Sequence, residues 1–226
     1  MTTLFWDIDN TLIDFVASSR EAFFELCNKH HLKVKEAHFD RWYEFKEKFW
    51  RKQEQGLMTI DEIVAHQFDQ LQEETGYSGN LLAFSLEFQD LLFHHAVPVE
   101  HAIETLQWCQ EQGFRQFAAS NGYIAQQTSR LSKAGMLHYF DDLFISDYLG
   151  VTKPNFLFFE KSLQRATVNA DNVLMIGDNL ITDVQGAQMA KIHTCWYNPE
   201  LKENETDVHP DVEIKDISEV ITFLKG

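Results

Sequence analysis

From residue 98 onward the chain alternates between short apolar runs and longer amphipathic ones, a rhythm that few architectures satisfy. The segments "FRQFAAS" (114–120), "LFIS" (143–146), "NVLMIGD" (172–178) and "HTCWYN" (193–198) read as strands. Helical patterns separate them over 100–112, 124–134, 155–166 and 182–190. Strands interleaved with helices pair in parallel, because each crossover returns the chain to the same end of the sheet. The expectation is an α/β fold with a Rossmann-like, doubly wound parallel sheet. Its first strand falls at residues 3–8, where the apolar run Leu4, Phe5 and Trp6 leads into "DIDNTL".

Residues 14–96 break that rhythm with a wholly helical pattern. One helix is expected after Ser18, with Glu21 completing a capping box, and another over 36–55, stopped by Gly56. A third starts at Thr59 with Glu62 as its capping partner and ends near Gly76. A fourth spans 80–94, and Pro98 closes the block. The expected organisation is therefore a core of residues 1–13 and 97–226, with an all-helical insertion at 14–96.

Charge narrows the partners. The chain carries 19 Lys+Arg against 35 Asp+Glu, a net charge of −16. Such a surface repels nucleic-acid backbones and anionic membranes, which leaves a small anion held by a local cation. Cys27, Cys109 and Cys195 are too widely spaced for a disulfide framework or a zinc site. No leader pattern and no run of 18 apolar residues is visible, so a cytoplasmic location is expected, as monomer or homodimer.

In a doubly wound sheet, ligands gather at the carboxyl ends of the strands. Four such ends carry polar groups here. Asp7, Asp9 and Thr11 follow the first strand, and Ser120, Asn121 and Gly122 the second. Lys153 stands in the loop after the third, and Asp178 and Asp183 follow the fourth. Carboxylates without Cys or His nearby form a hard, oxygen-only site suited to Mg²⁺. Two bare carboxylates ~4 Å apart repel by roughly 4 kcal/mol at an effective dielectric near 20, so the cluster calls for the metal and Lys153. Ser120 with the adjacent backbone N–H groups is placed to hold phosphate oxygens.

In this order, "DIDNT", "SNG", "TKP" and "GDNLITD" resemble the four motifs of the haloacid dehalogenase-like hydrolase superfamily, over the whole chain. The departures are slight: Asn10 stands where Asp or Gly is common, and Ser120 where Thr is. The resemblance implies that Asp7 is a nucleophile forming an aspartyl-phosphate and that Asp9 is its general acid and base. It implies that Asp7, Asp178 and the Asp9 backbone carbonyl hold Mg²⁺, while Asp183 orients the site from behind. Lys153 would neutralise nucleophile and phosphate, and Ser120, Asn121 and Lys153 would bind the phosphate. Dehalogenases of the superfamily lack the acid two positions after the nucleophile, so the presence of Asp9 favours phosphoryl transfer; sugar-phosphate mutases share it.

The resemblance makes the insertion at 14–96 a cap domain that governs specificity. It contains many rings, among them Phe39, Trp42, Tyr43, Phe45, Phe49, Trp50 and Phe68, most expected to form its own core and one or two to meet a flat base. "QEQGLMTIDEIVAHQF", "VTKPNFLFF" and "TCWYN" resemble the cytosolic nucleotidases of the superfamily. A Mg²⁺-dependent phosphatase of nucleoside 5′-monophosphates, pyrimidine ones above all, is thus implied. A sugar-phosphate or phosphoglycolate phosphatase, or a phosphate-binding protein without turnover, are the alternatives. The adjacent pairs His30-His31 and His94-His95 suit surface or packing roles, "ELKENETD" (200–207) a solvated loop, and Phe156, Phe158 and Phe159 the core.

Overall fold

The computed structural model describes residues 2–225. The chain divides into two compact units: one joins the residues up to Phe15 to those from Ala96 onward, and the other is Val16–His95. In chain order the elements begin with β1 (Thr3–Trp6), β2 (Ile13–Asp14), α1 (Phe15–Lys29), α2 (Glu36–Glu54), α3 (Ile60–His66), α4 (Asp69–Thr75) and α5 (Leu81–Leu92). β3 (Val97–Pro98), α6 (Ala102–Glu111), β4 (Arg115–Ser120), α7 (Ile124–Lys133), β5 (Asp142–Ile145), α8 (Ser146–Leu149) and α9 (Phe156–Ala166) follow. The chain ends with β6 (Val173–Gly177), a π-helical turn (Leu180–Gln185), α10 (Gly186–Met189), β7 (His193–Tyr197), β8 (Val212–Ile214) and α11 (Glu219–Leu224).

Six strands form one parallel sheet in the order β5-β4-β1-β6-β7-β8. The chain fills one side of β1 with β4 and β5, then crosses to build β6, β7 and β8 on the other. β1 thus lies where the winding reverses, and the carboxyl ends of β4, β1 and β6 stand side by side. Trp6 is in register with Ala118 on one neighbour and Ile176 on the other.

Successive residues of a strand face opposite sides, and here both sides are apolar. Leu4, Trp6, Ala118, Leu174, Ile176 and Cys195 belong to one core cluster. Phe5, Phe117, Ala119, Phe144, Val173 and Met175 belong to the other, with Phe158 and Phe159 of α9. Phe5 packs edge-on against Phe117 and Phe144, at 5.7 and 5.3 Å between ring centres, and those two rings stack at 5.0 Å. Phe156 departs from the expectation for its trio: it lies on the outer side of the first turn of α9 and is exposed, while Phe158 and Phe159 are buried.

The helical unit has a core of its own. Trp42 stacks on Phe68 at 5.4 Å and meets Phe88 at 5.0 Å, and Phe68 meets Phe84 at 5.0 Å. Phe23 and Phe39 close the cluster, all of these rings being buried. The capping box at Thr59 and Glu62 is present, with Thr59 N–H donating to Glu62 (2.8 Å) and Glu62 N–H to Thr59 Oγ1 (3.2 Å). That helix does not run on to Gly76. It breaks at Gln67–Phe68, where Gln67 turns inward to donate to Ser85 (2.6 Å) and Phe68 enters the ring core, and α4 begins anew. Ser18 does not cap a helix either. α1 begins at Phe15, whose N–H donates to Asn10 Oδ1 (3.2 Å), and Ser18 is buried inside it.

His30 pairs with Glu87 (2.6 Å), and His95 lies between Glu21 (2.9 Å) and Glu25 (2.8 Å), so these histidines serve packing and charge balance. The three cysteines are free and buried. Among the described residues no helix is long and apolar enough to cross a membrane. At the start of α6, His101 Nδ1 meets Asp216 Oδ2 at 2.9 Å, tying it to the segment before α11.

Two outcomes follow from this packing. Phe5→Ala removes the ring that holds two others and should cost ~3–5 kcal/mol in urea denaturation. The hydrogen bond to Asp216 raises the His101 pKa, and those to Ser218 and His101 lower that of Asp216. The histidine's contribution is therefore full below its ordinary value of ~6.5 and fades as pH rises through its higher folded value. The Asp216 contribution is lost as pH falls through its lowered value. The stability gap between wild type and His101→Gln should be widest at about pH 4–6.5 and close above that range.

Candidate active site

β1 ends at Trp6, and the Asp7 N–H continues its ladder by donating to the Ile176 carbonyl (2.8 Å). This sets the Asp7 side chain, which is buried, between the ends of β4 and β6. The next residues fold back tightly: Leu12 and Ile13 N–H both donate to the Ile8 carbonyl (2.9 Å each). Asn10 occupies the left-handed region at φ 61°, which Asn tolerates better than most residues, and its side chain starts α1.

Lys153 enters from the loop between α8 and α9, and its buried ammonium has three hydrogens and three acceptors. Nζ donates to Asp7 Oδ1 (2.7 Å), Asp183 Oδ1 (2.6 Å) and the Ala119 carbonyl (2.8 Å). Burial alone would lower its pKa, but the Asp183 and Asp7 carboxylates outweigh that and hold it above the ordinary lysine range. The Asn121 side chain grips the Lys153 main chain from both sides: its Oδ1 accepts from Lys153 N–H (2.8 Å) and its Nδ2 donates to the Lys153 carbonyl (3.0 Å). The sequence pointed to Asn121 as a phosphate contact; the structure engages its side chain in anchoring Lys153.

Asp178 lies just past β6, and the Trp196 indole N–H fixes its main-chain carbonyl (2.9 Å). Asp183, in the π-helical turn, accepts the Asn179 N–H (3.1 Å) on its second oxygen. Carboxylate oxygens of Asp7, Asp178 and Asp183 all lie within 4.8 Å of one another. Burial pushes the Asp7 carboxyl up to about 7 against the pull of Lys153. Burial, then repulsion from Asp7 and Asp183, pushes Asp178 well above the carboxylate range. Three carboxylates facing one ammonium leave negative charge uncompensated, and a hard divalent cation with oxygen ligands fits that set.

The Asp9 carboxylate is not part of this group. Both of its oxygens are engaged by α7: Arg130 Nη1 donates to Oδ1 (2.5 Å) and Gln127 Nε2 to Oδ2 (2.8 Å). Gln127 Nε2 also donates to Ser120 Oγ (3.0 Å), linking Asp9 to the end of β4. Arg130 and Gln127 did not stand out as site residues in the sequence. The available signal was polar side chains on the inward stripe that Ile124, Leu131 and Ala134 mark along α7.

The chain belongs to the haloacid dehalogenase-like hydrolases, whose family description matches residues 1–191. More particularly, it is 32% identical over 222 residues to the pyrimidine 5′-nucleotidase PynA of Streptococcus pneumoniae, covering 98% of this chain and 94% of that one. It is 30% identical over 223 residues to the HAD-hydrolase YfnB of Bacillus subtilis, with the same coverage. A crystal structure of YfnB, described as bound to magnesium, matches with a TM-score of 0.93 at 29% identity, covering 99% of this chain and 98% of that one.

Gly177, the last residue of β6, has Asp183 against its backbone: a Cβ there would stand 2.2 Å from Asp183 Oδ2. Gly177→Ala should displace that carboxylate and weaken divalent-cation affinity by about 10–100-fold in calorimetric titration, as losing an orienting partner does.

Proposed function

We propose that the protein is a Mg²⁺-dependent phosphomonoester hydrolase acting on nucleoside 5′-monophosphates, pyrimidine ones in particular, through an aspartyl-phosphate on Asp7. The observation that carries the chemistry is the Lys153 ammonium bound to both Asp7 and Asp183 beside Asp178. The substrate class rests on the 32% identity to a pyrimidine 5′-nucleotidase along nearly the whole chain.

An Asp7 oxygen attacks phosphorus as the bond to the ester oxygen breaks, and Asp9 gives that oxygen a proton. Asp9 then takes a proton from water, which attacks phosphorus and breaks the bond to Asp7, releasing phosphate and restoring the carboxylate. Lys153 balances the charge on Asp7 before attack and on the phosphoryl oxygens during it, a contribution of ~3–4 kcal/mol by comparison with an oxyanion donor. Ser120 and the Asn121 N–H hold phosphoryl oxygens, the Gly122 N–H being engaged by Ser146 Oγ (2.9 Å), while the Asn121 side chain keeps Lys153 in place. Asp7, Asp178 and the Asp9 main-chain carbonyl, with Asp183 beside them, would hold Mg²⁺, which would supply positive charge favouring the ionised nucleophile and the bound phosphate. Val16–His95 serves as the cap that selects the leaving group; Tyr43, Phe45, Phe49 and Trp50 are the α2 rings left half-exposed and available to a base.

Phosphate release is to be measured with Mg²⁺ over dTMP, dUMP, UMP, sugar phosphates, phosphoglycolate and an aryl phosphate. A preference of about tenfold or more for the nucleotides supports the reading, since a base pocket contributes at least ~1.4 kcal/mol of discrimination. Turnover confined to sugar phosphates or phosphoglycolate keeps the chemistry and discards the nucleotidase assignment; no turnover discards the phosphatase. Asp7→Asn should lower kcat by at least ~1,000-fold while Mg²⁺ still raises the melting temperature.

A further inference from the structure

We propose that Arg130 and Gln127 are positioning residues that set the orientation of the Asp9 carboxylate, a role resting on the reading of Asp9 as the acid–base group. Asp9 is the most exposed of the motif carboxylates in an ion pair, its side chain 29% accessible, and an unrestrained aspartate there would exchange rotamers freely. Arg130 and Gln127 remove that freedom. They lie three residues apart on one face of α7, each about 1% exposed, and each takes one Asp9 oxygen.

The pair is braced from behind. Arg130 Nη1 also donates to Gln127 Oε1 (2.9 Å), and its guanidinium carbon lies 5.4 Å from the centre of the Phe15 ring. The second hydrogen of Gln127 Nε2 reaches Ser120 Oγ. Asp9, α7 and the hydroxyl at the end of β4 thus form one hydrogen-bonded chain. A hydroxyl placed to bind phosphate and the carboxylate placed to protonate the leaving oxygen are coupled through one amide.

Packing alone is a poor reason for such an arginine. Arg130 Nε and Nη2 are buried with no partner among the described residues. Burying a guanidinium with two nitrogens unsatisfied is costly, and an apolar side chain would fill the same space more cheaply. What Arg130 obtains in that setting is a short contact to Asp9, the bond to Gln127 Oε1 and the face of the Phe15 ring, all of them through or beside the group that holds Asp9. An ionised carboxylate offers about four lone-pair sites over its two oxygens. Anchoring one on each leaves one on each to carry the catalytic proton, so the clamp fixes direction without occupying the reacting position.

The test separates proton delivery from folding. Wild type, Asp9→Asn, Arg130→Met, Arg130→Lys and Gln127→Met are compared on dTMP and glucose 6-phosphate, alkyl esters whose leaving oxygen needs a proton. The same set is run on 2,4-dinitrophenyl phosphate, whose leaving group needs none. Arg130→Met and Gln127→Met should lose ~10–100-fold in kcat/KM on the alkyl ester that wild type hydrolyses and less than ~3-fold on the aryl one. Arg130→Lys should recover part of the loss, and Asp9→Asn/Arg130→Met should be no worse than Asp9→Asn alone. Equal losses on both kinds of ester, or none, overturn the proposal. If wild type hydrolyses no ester, the phosphatase reading fails by itself, and crystal structures of Arg130→Met and Gln127→Met decide the clamp. An Asp9 carboxylate displaced from its wild-type position upholds it; an unchanged one refutes it.

Discussion

The ammonium of Lys153 is the contact on which the rest of this molecule is arranged. Its three hydrogens are shared among Asp7, Asp183 and the Ala119 carbonyl, which come from the residue after β1, the turn after β6, and β4. Removing any of these acceptors leaves a buried charge short of a partner, which costs far more than a surface ion pair contributes. The opposite imbalance persists as well: one cation does not neutralise Asp7, Asp178 and Asp183. The raised pKa values of Asp7 and Asp178 are the mark of a site preorganised for more positive charge than the polypeptide itself supplies.

Holding such a cluster requires a scaffold that does not yield. Both faces of the sheet are apolar, and the three adjacent strands β4, β1 and β6 are tied in a continuous ladder through Trp6. Small backbone features then aim the charged groups. Asn10 turns the chain with a positive φ and begins α1, Gly177 lets Asp183 lie against the strand end, and Asn121 holds the Lys153 main chain. None of these three carries charge, yet each decides where a charge stands. The same division applies around Asp9, where the cation and the amide both come from the buried side of α7.

Much of this was legible along the chain because it is local. Alternating apolar runs are set by the period of a strand, so β1, β4, β5, β6 and β7 could be read within a residue or two. The capping box joins Thr59 and Glu62, three positions apart, and formed as written. What escaped reading depends on distant partners. Ser18 and Glu21 have the spacing of a cap, but the Asn10 side chain had already started the helix at Phe15. The helix after Thr59 breaks because Ser85 and the aromatic cluster draw Gln67 and Phe68 inward. β8 and α11 are short and give no periodicity over their few residues.

By itself, then, the sequence determined the parallel α/β sheet, the presence of the helical block, and the identities of Asp7, Lys153, Asp178 and Asp183 as one group. It could do so because a doubly wound sheet brings every strand's carboxyl end to one rim, whatever the intervening loops. Only the tertiary structure decided how those groups share their hydrogen bonds. Lys153 reaches Asp7 across a sequence separation of 146 residues and Arg130 reaches Asp9 across 121, and no local pattern encodes such pairings. They arise when packing buries both partners and leaves each polar atom only the neighbours that the fold has placed beside it.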